Sequence, residues 1–131
     1  MSENTDAIER AFDGFNSGDT DAVAAAFKDD VVWEGPNAEE LPGGGRHEGK
    51  DAVMEMLGRI FESWESFSAT ADELFEDGDT VVVLGHLEGT TKAGNSVKTP
   101  LVQVFRMDDG EAERIQALTD SLELGRALEV T

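Results

Sequence analysis

Asp29 to Val53, DDVVWEGPNAEELPGGGRHEGKDAV, changes character twice within one short stretch, and the order of those changes decides the fold. Val31 to Glu34 is β-branched and aromatic and reads as a brief strand. Gly35-Pro36 ends it, because proline has no amide hydrogen to continue a ladder. A loop rich in glycine follows, with Gly43, Gly44 and Gly45 in succession. From Asp51 the period becomes helical, and Val53, Met54, Leu57, Ile60, Phe61 and Trp64 form a broad apolar face with acids opposite. A strand, a flexible loop and a long one-sided helix imply a helix laid against a sheet.

Toward the N-terminus, Ile8, Ala11, Phe12 and Phe15 recur at helical spacing until the turn cluster Asn16-Ser17-Gly18-Asp19. Thr20 can cap a second helix whose Val23, Ala26 and Phe27 face inward. Toward the C-terminus the period becomes two. Strands are expected over Phe67–Phe75, Thr80–Thr90, Val97–Met107 and Ala112–Thr119, separated by Glu76-Asp77-Gly78-Asp79, Lys92-Ala93-Gly94-Asn95 and Asp108-Asp109-Gly110. Each separator carries hairpin chemistry, so an antiparallel meander follows, and a last short helix is expected over Ser121–Leu128. The class is α+β. With 131 residues and 39% hydrophobic content, the chain supports one core and not two, so residues 1–131 are read as one domain.

Ten basic residues stand against 29 acidic ones, giving a net charge of −19, and the bases include only Lys28, Lys50, Lys92 and Lys98 as lysines. The acids are scattered along the chain rather than gathered in a tail. Such a surface repels itself in dilute solution, whereas at molar salt the screening length falls to roughly 3 Å. Lysine scarcity beside an acid excess reads as salt adaptation; an ordinary acidic domain would share only the acid excess. Nucleic acid and anionic membranes are excluded as partners, since binding them relies on a basic face. The absence of cysteine excludes disulfides, thiolate metal sites and cysteine nucleophiles. MSENTDAIER is polar and acidic, unlike a secretory leader, and the longest apolar run, Ala22 to Phe27, is far too short to span a bilayer. The expected location is the cytoplasm.

ERAFDGFNSGDTDAVAAAFKDD, from Glu9, and VFRMDDG, from Val104, resemble segments of the SnoaL-like polyketide cyclase and ketosteroid isomerase group in the nuclear transport factor two superfamily. The resemblance implies a cone-shaped, cystatin-like domain: a curved, mostly antiparallel mixed sheet wrapped around N-terminal helices, holding a small-molecule pocket. It places the isomerase's oxyanion tyrosine at Ala11, its general-base aspartate at Gly35 and its oxyanion aspartate at Gln103. Isomerisation is therefore not expected, because it needs a carboxylate to move a proton and acidic donors to hold an enolate. Limonene epoxide hydrolase, a more distant relative, carries an Asp-Arg-Asp arrangement on its sheet, whereas residues 80–90 here hold His86 and Glu88 and no arginine. Polyketide cyclases place an acid/base aspartate where the last strand meets the last helix, and Asp120 occupies that place.

The candidate catalytic residues are thus Asp120, as general acid/base, and Gln103, as the group polarising an oxygen. Each has a plain structural alternative. Asp120 also precedes a helix as an N-cap would, and Gln103, in phase with Leu101 and Phe105, can make a structural hydrogen bond instead. Ligand-binding walls are expected from Phe12, Phe15, Trp33, Met54 and Leu57, with Phe61, Trp64 and Phe105 completing them and His47 near the mouth. These aromatics serve equally well as simple core. The acid pairs Asp29-Asp30, Glu39-Glu40 and Asp108-Asp109 lack calcium-loop spacing, and the glycine triplet has no following Lys-Ser/Thr, so no metal, phosphate or other cofactor is called for.

Two functions follow: acid/base catalysis on a carbonyl-bearing or polycyclic molecule, or a non-catalytic module for small-molecule binding or dimerisation. In either case the expected partner is a small apolar or polycyclic ligand. The resemblance also implies a homodimer formed through the outer sheet face. Val81, Val83 and Leu87 would supply its apolar stripe if the opposite phase of their strand faces inward.

Overall fold

Helix α1, Glu3–Ser17, opens the computed structural model, which describes residues 2–130. Ser2 caps it by accepting the Thr5 amide at 3.1 Å, Thr5 returns a bond to the Ser2 amide, and Gly18 closes it at φ 78° in the left-handed region. Helix α2 is the single turn Thr20–Ala24. It is shorter than its apolar spacing suggests, because Phe27 belongs to strand β1, Phe27–Glu34. The neighbouring carbonyl of Ala26 accepts the Ala112 amide at 2.7 Å, which draws the chain into the sheet four residues before Val31.

The glycine-rich loop folds back as a short strand, β2, Arg46–Glu48, antiparallel to β1. Three polar residues carry no strand signal of their own, so only the partner strand defines it. Helix α3, Lys50–Ser63, buries Val53, Met56, Leu57 and Ile60. Its apolar face is broader than the stripe one packed surface can cover. Met54 and Phe61 consequently flank the buried row, and Phe61 stays 42% exposed. Trp64 leaves the helix altogether, since its backbone is extended (φ −116°, ψ 144°) and begins strand β3, Trp64–Asp77.

Strands β4, Thr80–Thr91, β5, Ser96–Asp108, and β6, Glu111–Thr119, complete the meander before helix α4, Ser121–Leu128. The six strands run in the order β2-β1-β6-β5-β4-β3, with β1 and β6 parallel and every other pair antiparallel. Register slips at Ala71/Glu73 in β3 and Arg106/Met107 in β5 add local twist, which curves the sheet around α1 and α3. Lys28 ties β1 to the β5–β6 hairpin, reaching Asp108 at 3.2 Å and Glu111 at 3.7 Å. The hydrogen bond to Asp108, with the nearby acids, holds its ammonium above the ordinary lysine range.

The phase of β4 is opposite to the one a dimer stripe at Val81, Val83 and Leu87 requires. Val81 and Val83 are fully buried and Leu87 nearly so, all on the concave face. Val82, Leu84, His86 and Glu88 point outward instead, and His86 pairs with Asp72 on that surface at 2.8 Å. Among the described residues, no helix is long and apolar enough to cross a membrane.

Candidate functional site

A cavity of about 110 Å³ lies between the concave sheet and the helices. Its floor is the inward row of β5 and β6, where Leu101, Gln103 and Phe105 alternate with outward residues and Ile115, Ala117 and Thr119 lie beside them. Phe12, Phe15 and Leu57 close it from α1 and α3. Trp64 and Phe67, with ring centroids 5.1 Å apart, form an aromatic end wall. Leu124 and Leu128 cover another side from α4.

The remaining wall is the loop after β1, contributing Pro36, Leu41, Pro42, Gly43 and Gly44. Sequence-local chemistry places it there. Gly43 and Gly45 take φ values of 95° and 81°, which glycine adopts without a Cβ clash. The Trp33 indole Nε1–H donates to the Gly43 carbonyl at 3.0 Å, so the loop is latched by the same ring that lines the cavity. His47 sits outside this wall with its Nε2 2.9 Å from the Gly44 carbonyl; it braces the loop and does not line the cavity.

Seven of the candidate residues meet around one space: Phe12, Phe15, Trp33, Leu57, Trp64, Gln103 and Phe105. Met54, Phe61 and His47 do not. Phe61 reaches only the far side of Phe15, at a centroid distance of 4.8 Å, because the helical row it belongs to turns away from the sheet. Asp120 is also outside. It is exposed and accepts the Glu123 amide at 3.1 Å, capping α4. It is a helix cap and is absent from the cavity's lining. The expectation that Asp120 faces the pocket is corrected accordingly.

Sequence reasoning missed Pro36, Leu41 and Pro42, because loop residues announce no face by periodicity, and Leu124 and Leu128, whose i, i+4 spacing gives α4 an apolar face without saying what it packs against. What it could not reveal is whether any charged side chain turns into the space. No lining residue carries a titratable side chain among the described residues, and no cluster of three or more His, Cys, Asp or Glu side chains is placed to hold a metal. The position corresponding to the isomerase base is sterically closed as well as chemically empty. A Cβ on Gly35 would lie 1.9 Å from the Gly43 carbonyl oxygen, so no aspartate fits there while the loop keeps this path.

A curved sheet closed over helices around an uncharged apolar cavity defines the nuclear transport factor two-like class of small-molecule pocket folds. A model of the SnoaL-like domain matches residues 8–115, and the chain belongs to that family. Among solved structures, TerC, co-crystallised with polyporic acid, is similar at 28% identity and a TM-score of 0.90, over 98% of this chain and 99% of TerC. A protein of unknown function from Burkholderia pseudomallei K96243 is similar at 29% identity and a TM-score of 0.91, over 98% of both chains. A SnoaL-like protein of Jannaschia sp. CCS1 shares the fold at 21% identity, with a TM-score of 0.84 over 98% of this chain and 93% of its own. No curated protein sequence gives a significant match.

Proposed function

We propose that the protein binds a small, uncharged, ring-containing molecule in the cavity and that binding, rather than acid/base chemistry by its own side chains, is its task. The observation that carries this reading is the cavity's lining: aromatic and aliphatic walls with no group able to give or take a proton at neutral pH. Asp120 is not among the lining residues, and its carboxylate accepts the Glu123 amide at the start of α4. The co-crystal of TerC with polyporic acid supports small-molecule binding by this fold. An apolar cavity of about 150 Å³ admits benzene, so this one, at about 110 Å³, takes a single ring with a small outward adjustment of its walls. A polycyclic ligand requires a larger space than this.

The test uses p-xylene as a neutral probe, in molar KCl, with Trp33 and Trp64 as reporters because both rings line the space. Saturable binding that changes tryptophan emission, abolished in a folded Ala117→Leu variant that fills the floor, supports the reading. A folded wild-type protein that fails to bind, by fluorescence and by calorimetry, overturns it.

We also propose a homodimer through the outer sheet face. Phe75, Leu84 and Leu118 are 53%, 37% and 61% exposed there, and Val82, Val102 and Val104 lie between them in register. A contiguous apolar patch of this kind on a strongly charged protein marks an interaction surface. The acid excess is proposed as salt adaptation, which keeps the protein soluble in concentrated electrolyte.

A further inference from the structure

One polar atom beside the cavity is left without a partner. Gln103 is 8% exposed, lines the floor, and its Oε1 receives no hydrogen bond. Neighbouring polar groups are already committed: the Trp33 indole donates to Gly43, and the Thr119 hydroxyl donates to the Pro100 carbonyl at 2.8 Å. Across the sheet, Gln103 is registered with Val83 on one side and Ala117 on the other, while Leu101 and Phe105 flank it on its own strand. All four are hydrocarbon, so no side chain beside it can satisfy the amide. A buried acceptor facing only hydrocarbon is costly, and native structures seldom retain one without a use.

We propose that Gln103 is the specificity-determining residue of the pocket. The ligand is an uncharged ring bearing a hydroxyl or another small polar group, and that group is hydrogen-bonded to the Gln103 carboxamide. This rests on the binding reading above and adds the chemistry that orients the ligand. The polar group follows from a carboxamide whose oxygen has no partner within the protein. The absence of charge follows from the lining: an ionised ligand would lose its hydration to a space offering no counter-charge. A ring follows from the walls of Trp33, Trp64, Phe67 and Phe105, which offer flat apolar surface.

The experiment is a cross of two ligands with two proteins. p-Xylene and p-cresol have nearly the same shape, and differ by a methyl group replaced with a hydroxyl. Their dissociation constants are measured calorimetrically for wild type and for Gln103→Met, which keeps the side-chain length but has no amide. Gln103→Leu serves as a second variant if the first does not fold. The expected result is that p-cresol binding weakens by about tenfold in the variant, equivalent to about 1.4 kcal/mol, while p-xylene binding is unchanged or tighter. 4-Methylbenzoate, the anionic comparator, should not bind wild type measurably.

If the variant weakens both neutral ligands equally, or neither, Gln103 does not select the ligand and the inference is overturned while pocket binding stands. If 4-methylbenzoate binds as well as p-cresol, the requirement for an uncharged ligand fails. If neither p-xylene nor p-cresol binds either protein, the binding reading itself falls and this inference with it.

Discussion

Thr99→Val should stabilise this protein, an unusual direction for a substitution in a sheet core. Thr99 is 1% exposed on the concave face of β5, paired across the sheet with Leu87, and its Oγ1 has no hydrogen-bond partner. Valine replaces that hydroxyl by a methyl group of similar size, keeps the β-branch that suits a strand, and removes a buried polar group whose desolvation is uncompensated. Mutational series put that penalty at about 1–3 kcal/mol, and a hydroxyl sits at its lower end, so a gain of about 1–2 kcal/mol is expected. With an unfolding entropy of about 2.1 cal/mol/K per residue, the 131-residue chain carries roughly 0.28 kcal/mol/K, and Tm should rise by about 4–7 °C.

Thr91 supplies the matched control. It is 4% exposed on β4, but its Oγ1 accepts the Asn95 amide at 3.0 Å and closes the β4–β5 hairpin. Thr91→Val should therefore lower stability by about 1 kcal/mol. Thermal unfolding followed by circular dichroism at one fixed KCl concentration measures both. Equal and negative shifts for the two variants would refute the reasoning, because they would mean that Thr99 is hydrogen-bonded in solution.

Asp120→Ala should cost about 0.5–2 kcal/mol by removing the α4 cap, whereas Asp120→Asn should cost little, since asparagine caps as well; p-xylene affinity should be the same in both, and a loss of binding in the folded asparagine variant would place Asp120 in the site after all. Raising KCl from dilute to molar should increase Tm by several degrees as repulsion among the carboxylates is screened, and a salt-independent Tm would refute salt adaptation. Leu118→Glu, at a residue 61% exposed on the outer face, should convert a dimer into a monomer in light scattering at micromolar concentration in molar KCl without lowering ligand affinity. A wild-type protein already monomeric under those conditions would remove the interface proposal.

Much of the framework was legible from residues whose preferences are local. Val31 to Glu34 forms strand because β-branched and aromatic side chains suit a pleated surface, and Asp108-Asp109-Gly110 turns because Asp109 and Gly110 accept positive φ at 53° and 77°. Leu101, Gln103 and Phe105 share the inward face because side chains alternate along any strand. The family resemblance rested on such stretches, and it led to the right class of fold.

Tertiary structure decided what local chemistry leaves degenerate. Val81-Val82-Val83-Leu84 is apolar in both phases, so either set satisfies the same alternation; α1, α3 and the neighbouring strands determine that Val81 and Val83 are buried while Leu84 is exposed. Trp64 continues the helical spacing of Ile60 and Phe61 as well as it starts a strand, and only pairing with Thr91 chooses the strand. Asp120 is chemically able to be a base or a cap, and the nearest unsatisfied amides, those of α4, claim it first. The character of the cavity is the most non-local property of all. Its wall joins residues from Ala11 to Leu128, and its lack of charge depends on where every carboxylate in a chain of net charge −19 fails to point. Periodicity assigns a side chain to a face of its own element; which faces converge, and what they leave unpaired, is set by the packing of elements far apart in the chain.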